Sequence, residues 1–355
     1  MSKRLKILAF WPYGDFVEFF TPAFLGRDDL DVEVVSGHGS HVQSKHPAGF
    51  ARTRQLRKRL EAGEFDLVVT GNVYAVRWPE HKGFFTKLSV AARFSTIKRE
   101  HLDVILVPSL LRGLPRPVPL AALDIRDAHF VRPWDWPLLK ASTLYFKREM
   151  FAWKVRSLEP LMTWRRAKEI APYEKKLRPL SYGLDPARIP ASVRPMAERD
   201  IDLFISGAGN PVRDSIKERC RALTGKYRVV VSSDKVSEAE YFDLLQRSKL
   251  VVCTESAGCE TWRQYEVAAS GAVPLINYPY VLHHQPMESD EHAIFFSLAG
   301  QDFEKQLARA LGHPSLLQDI ATRARPWTIA HKARPRIADY VIEETLKEHQ
   351  QQYPN

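Results

Sequence analysis

A chain of 355 residues, 45% apolar and 26% charged, is long enough for two ordinary domains with a core each, and this composition excludes a disordered or low-complexity protein. Its three cysteines, Cys220, Cys253 and Cys259, fall at no disulfide-framework or metal-ligand spacing, which argues for a reducing compartment. The formal charge of +10 is uneven: residues 1–190 hold 32 Lys and Arg against 20 Asp and Glu, a balance of +12, whereas residues 191–355 hold 20 against 22, a balance of −2.

The N-terminus places basic residues before an apolar run, but Pro12, Gly14 and Asp15 interrupt it, so Leu5 to Phe10 reads as a first strand rather than a signal peptide. A helix is expected from Asp15 to Leu25, then a strand from Asp31 to Ser36 that ends at Gly37-His38-Gly39. The helix expected from Phe50 to Ala62 carries Arg52, Arg54, Arg57, Lys58 and Arg59, and a third strand runs from Phe65 to Thr70. Residues 82–100 read as a basic helical region and Asp103 to Pro108 as a fourth strand. Leu120 to Ile125 follows as a fifth strand, with Asp124, Arg126 and Asp127 at its end, and Thr143 to Phe146 as a further one. This alternation predicts a doubly wound parallel sheet.

Trp153 to Leu180 is interrupted by Pro160 and Pro172, and the prolines at 179, 186, 190 and 195 mark a linker, with the boundary near residue 190. The charge excess of the first half predicts an anionic partner there, whether lipid head groups, a phosphate-bearing acceptor or nucleic acid. A merely soluble basic surface is the plain alternative. Lys147, Arg148, Lys154 and Arg156, with Trp153 among them, offer a second such surface beside the 50–62 helix. No stretch approaches the roughly 18 apolar residues of a membrane span, so membrane contact is expected to be peripheral.

A second alternation starts at Asp200. Strand Ile201 to Ile205 leads into a loop with Gly207 and Gly209, and Arg213 opens the helix Val212 to Leu223. A third glycine is missing from this Gly-x-Gly, its place being taken by Val212, so the loop alone is weak evidence of a nucleotide site. After strand Tyr227 to Val231, the stretch Glu240 to Ile276 reads as helix, buried strand, polar turn, helix and buried strand. The turn Thr254 to Gly258 sits at a strand end, where open α/β sheets collect ligands and helix N-termini favour anions. Ser256 supplies a hydroxyl and Gly258 permits close approach. Arg263 and Glu266, three apart on one helix, pair a cation for phosphate with an acceptor for a ribose diol, the plain alternatives being a solvated salt bridge and a surface helix residue.

The run Arg263, Glu266, Ala268, Ala269, Gly271 and Pro274 resembles the donor-binding half of GT-B glycosyltransferases, most closely the CgeB-like and exostosin-like groups. The likeness continues through Glu291-His292-Ala293-Ile294-Phe295-Phe296 to the last helix. It implies an α/β fold of two Rossmann-like doubly wound domains facing a cleft: an acceptor-binding domain over 1–190, a nucleotide-sugar-binding domain over 191–334, and a helix over 335–355 packing back on the first. It also implies a nucleotide-diphospho-sugar co-substrate contacted by Gly207, Gly209, Arg213, Ser256, Gly258, Arg263, Glu266 and His292. One departure stands out, because many retaining members carry a second glutamate eight positions before the one matched by Glu266, where this chain has Gly258; Glu255 and Glu260 are out of register.

Without an acidic DxD stretch suited to a metal, charge neutralisation falls to arginines and the glycine loop, so neither a metal nor a further cofactor is expected. His283 and His284 lack a Cys or carboxylate at ligand spacing. Candidates for the base on an acceptor hydroxyl are Asp15, His38 and Asp127. Their plain alternatives are a helix N-cap, a loop residue and a partner of Arg126 or Arg132. The leading expectation is a glycosyltransferase acting on an anionic or lipid-linked glycan, cytoplasmic and peripheral at the inner membrane face. The runners-up are transfer to modified bases of DNA and a non-catalytic nucleotide-sugar or nucleic-acid binding module on the same scaffold.

Overall fold

The structure, a computed structural model, describes residues 4–11, 20, 22–36, 50–72, 106–162, 166–207, 210–232, 236–256, 258–298 and 301–354. The expectations at Asp15, His38 and Gly209 and over residues 82–100 lie outside these. The chain divides into two units, Met1–Leu180 with Ala338–Asn355, and Ser181–Ile337.

Among the described residues, the main sheet of the first unit has six strands, β1 (Leu5–Trp11), β2 (Leu30–Ser36), β3 (Leu67–Gly71), β4 (Leu120–Asp124), β5 (Leu144–Lys147) and β6 (Leu177–Pro179). They run parallel in the order β2-β1-β3-β4-β5-β6. Every residue of β3, β4 and β5 is buried, and their near-continuous apolar runs are what a parallel sheet covered on both faces requires. Helix α1 (Phe50–Glu61) and the short helix α2 (Trp136–Ala141) belong to this unit.

The last helix, α8 (Arg334–Gln352), enters the first unit from Ala338 onward. There Tyr340 meets the Phe146 ring edge-on at 5.5 Å, Arg27 pairs with Asp339 at 2.6 Å, and Arg178 donates to Glu344 at 3.3 Å and Glu348 at 3.2 Å.

Two expectations are corrected here. Residues 106–111 are helical rather than the end of a strand. A short apolar run satisfies a buried strand or a buried helix equally, and the buried residues Val107 and Leu110 fall at helical spacing. The second correction concerns the basic surfaces. Lys147 and Arg148 are buried among carboxylates and carbonyls instead of facing an outside anion. Arg57 donates to Glu61 and to the carbonyls of Leu110 and Arg112, while Arg59 holds Glu33 and Glu64. These cations are therefore committed inside the unit, although its net balance, which already counts their carboxylate partners, is unchanged.

The second unit carries β7 (Ile201–Ile205), β8 (Val229–Val231), β9 (Ser248–Cys253), β10 (Val273–Asn277) and β11 (Ile294–Phe296), parallel in the order β11-β10-β9-β7-β8. Its helices are α3 (Pro211–Ala222), α4 (Glu238–Arg247), α5 (Arg263–Ala269), α6 (Phe303–Gly312) and α7 (Pro314–Lys332). One continuous core runs from Leu203, Phe204 and Val251 through Val267 and Leu275 to Leu307 and Ile320. The strand order reverses between β7 and β9. That switch point leaves a crevice beyond the carboxyl ends of the two strands, into which their loops project.

No helix among the described residues is long and apolar enough to cross a membrane.

Candidate functional site

β7 ends at Ser206-Gly207. Gly207 takes φ +109°, a region closed to most side chains, and a Cβ there would lie 2.9 Å from a guanidinium nitrogen of Arg263 and 3.0 Å from one of Arg213. Only glycine lets two arginines come this close to the backbone. Three residues on, Asn210 caps α3, its Oδ1 accepting from the amides of Val212 at 2.9 Å and Arg213 at 3.3 Å, with Pro211 preset for the first turn. The other end of the same amide donates to the Ser256 carbonyl at 2.8 Å and ties the loop after β7 to the loop after β9. That second loop is pinned from β10, where buried Asn277 accepts from the Glu255 amide at 2.8 Å and donates to its carboxylate at 3.3 Å.

Cations converge on this frame. Arg213, 6% exposed, reaches the Thr254 hydroxyl and the Glu255 carbonyl, each at 3.4 Å. Lys217, one turn further along α3 and 4% exposed, donates to the Gly207 carbonyl, and Arg263 donates to the Ser206 carbonyl at 2.8 Å. The Nε of Arg263 is buried and has no hydrogen-bond partner among the described residues. Burial pushes Arg213 below its ordinary pKa, and the charge of Arg263 adds to the effect. Lys217 is lowered by burial too, with Arg213 and Arg263 opposing its charge and Asp214 favouring it. Positive groups held together at an energetic cost, beside a helix N-terminus at a switch point, are what an anionic ligand would relieve.

Glu266, one turn after Arg263 on α5, is 2% exposed. Its carboxylate accepts from the Tyr241 hydroxyl at 3.0 Å and pairs with Arg188 at 2.6 Å; Arg188 also holds Glu238 at 3.0 Å. Burial raises the pKa of Glu266 above the usual carboxylate range, with Arg188 and Tyr241 pulling the other way. Ser256 is exposed and Gly258 buried, the Ser256 amide donating to the Gly258 carbonyl at 2.9 Å. His292 behaves differently from the others: its Nδ1 accepts from the Glu288 amide at 3.3 Å and its ring stacks on Trp327 at 4.5 Å, with burial lowering its pKa. None of these contacts joins it to the Gly207 group.

The structure thus brings together Gly207, Arg213, Ser256 and Arg263. It adds Lys217, Asn210, Asn277, Tyr241 and Arg188, which sequence reasoning missed. Lys217 had a readable signal, since it follows Arg213 at i+4 and so shares its helix face. Arg188, Tyr241 and Asn277 come from distant elements and had none.

In the first unit, the carboxyl ends of β4 and β5 carry a second charged group. Asp124 is fully buried and accepts from Arg126 at 3.0 and 2.9 Å, Tyr145 at 3.0 Å and Lys147 at 3.3 Å; Arg126 also holds Asp135. Burial alone would raise the Asp124 pKa, but Arg126 and Lys147 hold it below the ordinary range. Asp127, half exposed, pairs with Arg148 rather than with Arg126 or Arg132. His129 lies against buried Glu149, Nδ1 to carboxylate at 3.8 Å.

A parallel α/β unit with a cationic, backbone-lined cradle at its switch point has the architecture of a Rossmann-like domain, in which that position is where such folds hold anionic ligands. Residues 191–342 match the family model described as Glycosyl transferase-like. A glycosyltransferase from Rickettsia africae has the same fold, with a TM-score of 0.51 and 11% identity, over 99% of this chain and 100% of that one. HepE of Anabaena, solved with UDP and glucose, gives a TM-score of 0.47 and 12% identity over 96% and 99% of the two chains. TarM gives 0.46 and 9%, the likeness covering 84% of this chain and 58% of TarM. No curated protein matches by sequence. The likeness to the Rickettsia africae protein shows a fold of the GT-B type, and residues 191–342 carry the Glycosyl transferase-like match; the finer likeness to the CgeB-like and exostosin-like groups stays a resemblance of sequence.

Proposed function

We propose that the protein transfers a sugar from a nucleotide-diphospho-sugar to a hydroxyl of an anionic or lipid-linked glycan. The observation that carries the donor reading is the convergence of Arg213, Lys217 and Arg263 on the Gly207 backbone at the β7/β9 switch point. As the sugar leaves, the nucleoside diphosphate takes up negative charge, and these three cations with the α3 N-terminus are placed to stabilise it, so the reading calls for no metal. Glu266 is the acceptor available to a ribose diol on the same helix. Its exchange of Arg188 or Tyr241 for ribose would accompany binding. The anionic acceptor is supported by the remaining exposed basic residues of the first unit, Arg54 and Lys58 among them.

Calorimetry with UDP, GDP and ADP, in the presence of EDTA, tests this. At least one nucleotide should bind, and Arg263→Ala and Arg213→Ala should each lose about 1.5 to 3 kcal/mol, roughly 10- to 150-fold in affinity. Affinity unchanged in both variants would remove the donor site from this place, and binding only when magnesium is restored would refute the metal-independent reading.

A further inference from the structure

We propose that the first unit carries a glycan-holding site at the amino edge of its sheet, a cavity that takes a sugar ring bearing a carboxylate or a phosphate. That the glycan held there is the acceptor rests on the glycosyl-transfer reading above; the site itself does not.

The cavity, about 590 Å³, opens between the helix at 106–111 and α2. Pro108, Leu111 and Pro137 give it apolar walls, Trp136 an aromatic one, and Arg112 and Lys140 its charge; no carboxylate lines it among the described residues. Its volume is that of a small-molecule site. Trp136 is half-buried and meets Tyr173 edge-on at 4.8 Å, and Tyr173 is braced in turn by the Lys176 ammonium, 5.5 Å from its ring centre.

Both helices run out at this edge, and a helix C-terminus presents unpaired carbonyls that disfavour an anion. Here those carbonyls are answered from inside the unit. Arg57 donates to the carbonyls of Leu110, Arg112 and Gly113 at 2.7, 2.6 and 3.1 Å, and Lys176 donates to those of Lys140 at 2.9 Å and Ser142. The two cations that line the cavity are therefore surplus to capping. The Arg112 side chain is exposed and has no partner among the described residues, and Lys140 is exposed with its ammonium 5.8 Å from the centre of the Trp136 ring. An indole beside two cations suits a ring with a C–H face and an anionic substituent. A charged pyranose has both, whereas a neutral sugar lacks the charge and a free anion lacks the face.

The position says how such a sugar would act. α2 leads through Ser142 and Thr143 into β5, and the Thr143 amide donates to the Leu120 carbonyl at 2.9 Å where β4 begins. The cavity thus lies at the opposite end of the sheet from Asp124, away from the carboxyl edge on which open α/β sheets hold reacting ligands. A sugar held there is a remote residue of a long acceptor; it contributes affinity without entering the bond change, and so acts on KM rather than on kcat.

The test uses the full chain and ligand-observed proton and phosphorus NMR with glucuronate, glucose 6-phosphate, glucose and inorganic phosphate as probes. One of the two charged sugars should bind, which identifies the charge as carboxylate or phosphate, and glucose and phosphate should each bind roughly 10-fold or more weakly. Arg112→Glu combined with Lys140→Glu, both at exposed positions, should lose about 10-fold or more of that affinity, as should Trp136→Ala. Arg263→Ala, which disables the donor cradle, should keep it. Should Trp136→Ala fail to fold, the double variant alone decides. Failure of both charged sugars to bind, equal binding of glucose or phosphate, affinity retained by the double variant, or a loss confined to Arg263→Ala overturns the proposal. So does loss of anionic-vesicle or duplex-DNA binding in the double variant when no charged sugar binds, since the surface would then serve a membrane or a nucleic acid. Calorimetry with nucleotides scores the donor reading separately: a chain that binds none refutes glycosyl transfer, and with it the acceptor role, while a charged-sugar affinity lost in the double variant would still establish the site.

Discussion

Lys332 is fully buried, its ammonium donating to the His284 carbonyl and lying 5.2 Å from the Tyr265 ring centre and 5.7 Å from that of Trp327. Burial pushes its pKa down from 10.5 to about 8, against the opposing charge of Glu260. Below pH 8 both folded and unfolded chains carry this proton; between about 8 and 10.5 only the unfolded chain does, so stability rises with pH across that window. The increment is about 3 kcal/mol. Urea unfolding at pH 8 and pH 10.5 should show Lys332→Met lacking that rise, and an identical rise in both proteins would contradict the burial. Gly207 offers a second test at this scale. A methyl group at φ +109° strains the backbone and displaces Arg263 and Arg213, so Gly207→Ala should weaken nucleotide binding by 10-fold or more, on the order of 1 to 3 kcal/mol for the backbone strain alone. Equal affinities by calorimetry would show that the arginines do not depend on this approach. Gly207 itself was legible in the sequence, but its reason was not. The glycine matters for the side chains it admits, which arrive from α3 and α5, more than for a fingerprint spacing.

At the scale of elements, α3 shows how one cap can hold a helix and a neighbouring loop at once. The amide of Asn210 holds the first turn of the helix and the loop after β9 at once. Asn210→Ala should cost about 1 kcal/mol of stability, measured by urea unfolding, and should also weaken nucleotide binding, because Arg213 would lose its anchored turn. A stability loss with affinity intact would mean that the bridge to Ser256 is incidental. The strands of both units were readable because a parallel sheet covered on both faces demands apolar runs, and those runs are conspicuous in LVVTG, LAALD and VPLIN. Residues 106–111 misled for the complementary reason, since a run of buried apolar residues carries no period of its own. α5 was placed correctly and Arg263 and Glu266 do share a helix. The split of their contacts, one toward Ser206 and the other toward Tyr241 and Arg188, depends on where α4 and the segment around residue 188 pass, which no local pattern encodes.

For the molecule as a whole, the fold class was legible from alternation alone, whereas the meaning of the charge excess was not. A count of lysines and arginines does not distinguish those that face outward from Arg57, Arg59, Lys147 and Arg148, which neutralise the protein's own carboxylates and carbonyls. The wide sequence separation of these partners is the reason, Arg59 meeting Glu33 and Arg148 meeting Asp127. The helix that closes the chain has one more consequence. The second unit is a single stretch, Ser181–Ile337, but the first is assembled from both ends of the sequence. On the ribosome, therefore, the first unit waits: its sheet is synthesised before the second unit, yet the groups that cover Phe146 and pair with Arg27 and Arg178 emerge only after it. The second unit can be complete while the first is still unfinished. A chain stopped after Ile337 should keep its nucleotide affinity and lose protection from protease in the first 180 residues, and a protease map identical to that of the full chain would show that the early-made sheet closes without its final segment.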